Sequence, residues 1–430
     1  MQQSSARSVA VIGSGVAGLT AAYALSGRDR VTLYEADTRL GGHAHTHDVD
    51  RGDGTIVNVD SAFLVHNDRT YPTLCRVFAD LGVVTQESEM SMSVRAEATG
   101  LEYAGALGVS GLFACRQATR PRYLLMLAEI VRFHRAATRL LSGDDDDDLE
   151  TLDDFLRRHR FSAFFVEHFI TPLVAAVWSC GADDALRYPA RYLFVFLRHH
   201  GMLSVFGSPT WRTVTGGSHR YVQAIASRLH EVCTATPVHS LRRLPNGVLV
   251  QAGAQTPRTF DAAVIAVHPD QALLLLDNPS AYERAVLASI PYSTNRAQLH
   301  TDESVLPRHR RARASWNYLI TAGSSPVVVT YDISRLMRID ADRRFLVTLG
   351  GHDRVDPRSV IAEMTYSHPL YTAESVAAQR LLPTLDDDRV VFAGAYHGWG
   401  FHEDGAASGL RAARRLGADR PARTEQVTAC

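Results

Sequence analysis

Three glycines and one acid carry the clearest chemistry in this sequence of 430 residues. Gly13, Gly15 and Gly18 have the G-x-G-x-x-G spacing, and Glu35 follows Gly13 by 22 residues. Gly13 suits a tight turn. Gly15 lets backbone approach a pyrophosphate, and Gly18 lets a helix pack closely on a strand. The helix N-terminus supplies unpaired N–H groups and a positive dipole end to the phosphates. Glu35 can accept hydrogen bonds from ribose hydroxyls. The elements that must position these residues are also readable. A β-branched strand covers residues 8–12, a helix residues 19–25, and an apolar strand over residues 31–34 ends on the acid. Strand, glycine turn, helix, strand and acid together predict a dinucleotide-binding βαβ unit.

A second group lies near the end of the chain. His402, Glu403 and Asp404 precede Gly405 and Ala406, where a helix is expected over residues 406–416. Acids there cap free N–H groups. The histidine, titrating near ~6.5, suits proton transfer. His402 and Tyr396 are the catalytic candidates. Trp399, Phe401, Trp178 and Trp211 are either core rings or the wall of an apolar substrate site. Arg212 is either a surface arginine or a partner for pyrophosphate. His43, His45 and His47 alternate and would share one face of a strand. No carboxylate or cysteine pattern completes a metal site around them, so no metal is expected.

Composition removes several classes. All 45 residues counted as Lys+Arg are arginine, for there is no lysine. That excludes a Schiff base, a pyridoxal phosphate anchor and a phosphate-cradling lysine. A net charge of −1 argues against nucleic-acid binding. Cys75, Cys115, Cys180, Cys233 and Cys430 are scattered and form no CxxC pair, which fits a reducing cytoplasm. No signal-peptide pattern opens the sequence. No apolar run reaches the ~20 residues of a membrane span.

Helical spacing of apolar residues recurs over residues 71–81, 123–141, 152–159, 161–177 and 191–199. The aspartate run at 144–148 reads as a solvated linker within residues 143–150. From residue 237 strands return. Residues 238–241 and 248–251 flank the hairpin signal Pro245-Asn246-Gly247. Further strands are expected at 260–267, 295–300, 327–331, 345–349 and 389–393, with helices at 359–366 and 373–381 and a polar tail over 421–430.

Five stretches resemble the FAD-binding oxidoreductases of the flavin amine oxidase and phytoene desaturase superfamily. They are residues 11–19, Tyr34 to Asp37 running into Leu40-Gly41-Gly42-His43, and residues 211–221, 236–241 and 392–409. A narrower likeness, over residues 39–46, 60–73, 211–222, 314–318 and 394–405, is to a subgroup known as predicted NAD/FAD-binding proteins. The subgroup is associated with cyclopropane-fatty-acid-synthase-like methyltransferases. Ser61-Ala62 stand where the subgroup has Thr-Gly, and His66 where it has an aromatic residue.

The resemblance implies an α/β fold: a Rossmann-type, glutathione-reductase-like FAD-binding domain and a second, α+β substrate domain containing a helical insertion. Residues 1–70, 210–270 and 385–420 would form the first, and 71–209 and 271–384 the second. FAD would be held by Gly13, Gly15, Val16, Ala17, Gly18, Glu35, Ala36, Arg39, Gly41, Gly42, His43, Val238, Gly394, Glu403, Asp404, Gly405 and Ala406. Trp178, Trp211 and Trp399 would face substrate.

The implied reaction is hydride removal from an apolar, fatty-acyl-like substrate to form a C=C bond. No second glycine fingerprint follows a strand, so oxygen or a quinone would reoxidise the flavin. The alternatives are a redox-neutral double-bond isomerase, an amine oxidase, or a non-catalytic FAD-containing partner of a lipid methyltransferase. Many amine oxidases of the superfamily place a lysine at the flavin. None exists here, which shifts weight towards carbon–carbon chemistry. Arg157, Arg158, His159 and Arg160 could meet anionic lipid headgroups, although the overall neutrality of the chain does not favour it.

Overall fold

The computed structural model describes residues 6–51, 53–143, 149–204, 207–321 and 328–418. The aspartate run at 144–148 and the tail at 421–430 lie outside the described residues. The chain forms two compact units. The first comprises Met1–Gly42, Tyr221–Ala288 and Gln379–Cys430, and the second His43–Arg220 and Ser289–Ala378. Residues 43–70 and 210–220, assigned above to the FAD-binding segments, therefore pack within the second unit. Residues 271–288 and 379–384 pack within the first.

The first unit is built on a parallel sheet in the order Glu231–Cys233, Arg30–Tyr34, Ser8–Ile12, Ala262–Ile265 and Val390–Phe392. Val9, Ala10 and Val11 are fully buried, as expected of a central strand covered on both faces. A three-stranded antiparallel sheet, Val238–Leu244, Gly247–Ala252 and Arg258–Phe260, follows the hairpin signal. The expected strand at 260–267 is shorter, Ala262–Ile265.

Helices Val16–Leu25 and His402–Arg415 pack against each other through small residues. A Cβ on Gly409 would lie 2.1 Å from the Ala17 carbonyl oxygen, and one on Gly405 2.5 Å from Val16. Contacts of Gly405 with Val16 and of Gly409 with Ala17 and Ala21 run in the same chain direction. The two helices are therefore parallel and their N-termini adjacent. The second of them starts at His402, four residues before the expected 406. Asp404 accepts the Phe401 N–H at 2.9 Å, which closes this extra turn.

The second unit carries a seven-stranded mixed sheet. Its order is Val360–Pro369, Tyr292–His300, Leu346–Leu349, Val328–Asp332, Trp316–Ile320, Met92–Ala96 and Leu101–Gly105. A helix was expected at 359–366, but the segment is a strand paired antiparallel with Tyr292–His300. The cause is visible in the pattern. Met364 and Tyr366 are buried while Ile361, Glu363 and Thr365 are exposed, a period of two. The helical insertion includes Pro121–Ser142, Leu152–Arg158, Thr171–Trp178 and Ala190–His199. A π-helical turn, Val166–Ile170, precedes Thr171, and Tyr103 donates its hydroxyl to the His168 carbonyl there at 2.7 Å.

Candidate functional site

The glycine turn separates residues the fold needs from residues it does not. Gly13 has φ +98°, and a Cβ there would press on the Ala266 carbonyl at 2.7 Å. A Cβ on Gly18 would sit 1.9 Å from the Gly13 carbonyl oxygen. Both are glycine because the strand-to-helix turn leaves no room. Gly15 differs. Its φ is −62°, open to any residue, and a Cβ there meets nothing within 4 Å. The protein itself does not require glycine at 15. The N-terminus of the Val16–Leu25 helix has no side-chain cap, so its first N–H groups face this same space. A bare backbone cradle at an uncapped helix start fits a pyrophosphate.

Glu35 ends its strand beside this cradle. Its carboxylate accepts the Ser14 N–H at 2.9 Å, the Ser14 hydroxyl, and the Asp37 N–H at 2.9 Å. Ser14 also anchors the glycine pair: the Gly41 N–H donates to the Ser14 hydroxyl oxygen at 3.0 Å. Gly42 has φ +56° and lies so near Gly15 that a Cβ would be 3.1 Å from the Gly15 Cα. Arg39 donates to the Leu40 and Gly42 carbonyls, fixing the turn. The Thr236 N–H donates to the Glu35 carbonyl and the Ala235 N–H to that of Asp37. The chain thus enters the Val238–Leu244 strand alongside the acid, and Ala36 lies exposed between these contacts. Glu35→Ala should lower flavin retention about tenfold, the scale of one or two charge-assisted hydrogen bonds. The 450 to 280 nm absorbance ratio after desalting measures it, and an unchanged ratio would remove Glu35 from the site.

At the C-terminal loop, Gly394 donates its N–H to Ser408 Oγ at 2.9 Å. A Cβ on Gly394 would collide with the Tyr396 ring. This ring is 1% exposed, and burial raises its phenol pKa well above the usual 10. Tyr396 is therefore a packing residue beneath Gly394 and is withdrawn as a catalytic candidate. Gln379 holds the loop by donating to the Tyr396 and Gly398 carbonyls. Asp404 is half-buried against Gly398, where any Cβ would strike it. Burial pushes its carboxyl up to about 7, opposed by N–H groups of Phe401 and Trp399. It acts as a helix cap. Glu403 shares the same first helical turn, and Ala406 is fully buried. His402 Nε2 lies 3.2 Å from the Tyr221 hydroxyl, so the candidate acid–base residue has a phenol partner.

In the second unit, His43 lies 5.1 Å from the Tyr366 ring and 5.2 Å from His368, centre to centre. His45 and His47 lie on the same side of the chain, half-buried. The strand begins at Thr46, and their rings stack 4.0 Å apart. His45 Nδ1 meets the Tyr366 hydroxyl at 3.0 Å, and His47 Nε2 meets Ser61 Oγ at 2.8 Å. Arg212 donates to Thr85 through two nitrogens, which makes it a strand-to-strand tie. Trp178 and Trp211 are both buried and are linked by a run of rings. Trp178 touches Phe196 (4.6 Å), Phe196 stacks on His200 (4.0 Å), and His200 lies parallel to Trp211 (6.2 Å). Burial lowers the His200 pKa to about 4, so this run is uncharged near neutrality.

One cluster was not expected. Asp60 is buried and accepts the Ser218 N–H and hydroxyl, at 3.0 and 2.9 Å, and the Thr46 hydroxyl at 2.5 Å. Burial raises its pKa to about 6. It locks the turn at Gly217, whose φ is +96° and whose Cβ would strike Thr46.

The βαβ unit, open glycine cradle and ribose-side acid define a dinucleotide-binding protein. The chain belongs to the flavin containing amine oxidoreductase family, which it matches over residues 16–417. It is 28% identical over 286 residues to a carotenoid phi-ring synthase of Streptomyces griseus, covering 61% of this chain and 52% of that one. It is 40% identical over 88 residues to an L-amino-acid oxidase of Bungarus fasciatus, covering 20% and 17%. The matches thus span about half of the first relative's length and less of the second's. Among solved structures, a CLA-producing fatty acid isomerase from P. acnes superposes with a TM-score of 0.71 at 15% identity, covering 96% of this chain and 99% of that one. Cyclohexylamine oxidase from Brevibacterium oxydans gives 0.69 at 17% identity, covering 96% and 98%. These likenesses establish the fold: an α/β FAD-binding domain with a substrate domain. The family is one of flavin-containing oxidoreductases, and no helix among the described residues is long and apolar enough to cross a membrane.

Proposed function

We propose that the enzyme removes hydride and a proton from neighbouring carbons of an apolar, fatty-acyl-like substrate, leaving a C=C bond. The observation that carries this reading is the uncharged aromatic run from Trp178 through Phe196 and His200 to Trp211. These rings are buried, and an interior of uncharged rings suits a neighbouring hydrocarbon better than a polar ammonium or carboxylate group. The absence of lysine points the same way, away from amine oxidation. Two of the similar proteins are named for a carotenoid and a fatty acid, both apolar.

When bound, FAD supplies the two-electron acceptor, and oxygen or a quinone takes those electrons on. Gly15, the uncapped Val16–Leu25 helix and Gly41-Gly42 would hold its pyrophosphate. Glu35 would hold its ribose. His402, beside the Tyr221 hydroxyl, is the group placed to hold or move a proton at Nε2. Cys115, Cys180 and Cys233 form no disulfide among the described residues, which suits a reducing, cytoplasmic setting.

The test is anaerobic titration of the purified yellow protein with unsaturated fatty acids, phospholipids and amines, followed by product mass. Bleaching by a lipid, with a product two hydrogens lighter, is the expected result. A product of unchanged mass would replace desaturation by isomerisation. Bleaching by amines alone would overturn the apolar substrate. A flavin that no substrate bleaches, in protein that co-purifies with a methyltransferase, would replace catalysis by a partner role.

A further inference from the structure

We propose that the second unit carries a docking surface for an anionic lipid bilayer, formed by the Gly108–Leu112 helix, the start of the Pro121–Ser142 helix and the turn at residues 308–311. Val109, Phe113, Leu124 and Leu125 are 73%, 38%, 46% and 55% exposed. They are four of the exposed large apolar residues of the described chain, and all fall within 17 residues of sequence. Tyr123 holds them together. Its hydroxyl donates to the Leu112 carbonyl at 2.7 Å, and its ring meets Phe113 edge-on at 6.1 Å.

Cations surround these side chains. Arg116, Arg120 and Arg122 are exposed, and no acid occurs in the 26 residues between Glu102 and Glu129. The Arg310–Ala312 turn packs on the Gly108–Leu112 helix and brings Arg308, Arg310 and Arg311, also exposed. The acid beneath them is turned inward. Glu102 is buried and accepts the N–H groups of Arg308 and His309 and the His309 ring, at 3.1, 2.8 and 2.7 Å. Glu129 is likewise buried, accepting the Ser162 N–H. The patch therefore presents arginine and hydrocarbon without exposed carboxylate along these segments.

That pairing selects its partner. Guanidinium groups recognise phosphate, and leucine and phenylalanine at the same surface enter the acyl boundary below it. A nucleic acid would leave the apolar side chains in water. The stretch at residues 157–160, considered above for a lipid contact, is balanced by its own acids. Arg157 pairs with Asp153 at 2.6 Å and Arg158 with Glu150 at 2.7 Å. The lipid contact thus belongs at residues 109–125 and 308–311. Docking there goes beyond the proposed reaction, since bilayer binding does not depend on which bond is oxidised.

The full-length flavoprotein should be sedimented with vesicles of phosphatidylcholine, alone or with roughly a third phosphatidylglycerol. Binding to the anionic vesicles should be at least about tenfold tighter and should weaken in high salt. The double variant Leu124→Ser/Leu125→Ser should lose at least about tenfold in binding. Arg310→Gln/Arg311→Gln should reduce the preference for anionic vesicles. Both change exposed side chains, so circular dichroism and flavin absorbance should match wild type. Wild-type protein left in the supernatant at low salt would overturn the proposal. So would vesicle binding that neither variant alters, or capture by heparin or an acidic protein without vesicle binding.

Discussion

Gly15→Val should fold and lose its flavin, whereas Gly18→Val should not fold. The two glycines are three residues apart in one motif, and the structure separates them by what a side chain would meet. At Gly15 nothing lies within 4 Å and φ is −62°. Valine there should leave the melting temperature of the flavin-free protein within a few degrees of wild type. Its branched side chain would fill the cradle at the uncapped helix start, and flavin occupancy should fall by about tenfold or more. At Gly18 the Cβ would stand 1.9 Å from the Gly13 carbonyl oxygen and 3.1 Å from Ala266. Neither atom can retreat without opening the helix from the sheet, and a loss beyond about 4 kcal/mol is expected. Flavin absorbance, with circular dichroism on the same samples, distinguishes the outcomes. A Gly15→Val protein that stays yellow would show that pyrophosphate does not lie against residue 15.

The contrast also marks what a sequence can disclose. The βαβ unit is legible because every part is local: strand, turn, helix, strand and acid follow within 28 residues. The helical insertion is legible from apolar spacing. The strand Val360–Pro369 is less so, because Met364 and Tyr366 fit either a helical or an alternating pattern until the partner strand is known. The role of Asp60 is hidden for a different reason. Asp60 and Ser218 both lie in stretches that resemble the subgroup, but 158 residues separate them and no spacing motif links the two. Tyr396 shows the opposite failure. Its type and position beside the glycine loop suggested chemistry, but the ring fills the space that makes Gly394 necessary. The packing of Gly405 and Gly409 against Ala17 and Ala21 left a trace in the small-residue spacing of both helices, and that trace could have placed the two N-termini together.

Acid sensitivity should be traceable to buried histidines, and one substitution should relieve part of it. His66, His200 and His300 are buried in the second unit, and burial lowers each to about 4. Their unfolded value is about 6.5. A base with a depressed folded pKa contributes stability that is present above pH ~6.5 and is lost as pH falls through ~4. At pH ~5 each withdraws about 2 kcal/mol, a substantial share of a typical 5–15 kcal/mol. For His300 the cause is explicit. Its Nδ1 accepts the Asp302 N–H at 3.1 Å and its Nε2 meets Thr348 Oγ1 at 2.7 Å, so a second ring proton would face an N–H. His66 is the better probe, since its ring sits among Phe63, Tyr71 and Phe78. Phenylalanine should fit there. In His66→Phe, the stability difference between pH ~8 and pH ~5 should shift by about 2 kcal/mol in favour of the acidic side. Asp404→Asn should move it the other way. Its carboxyl, raised to about 7, stabilises the folded chain below the unfolded pKa near 4, and this contribution fades as pH rises through 7. Removing that term should cost the acidic side about 2–3 kcal/mol relative to the alkaline side. Urea unfolding of both variants at the two pH values measures the shifts, and equal shifts in one direction would exclude burial as their common cause.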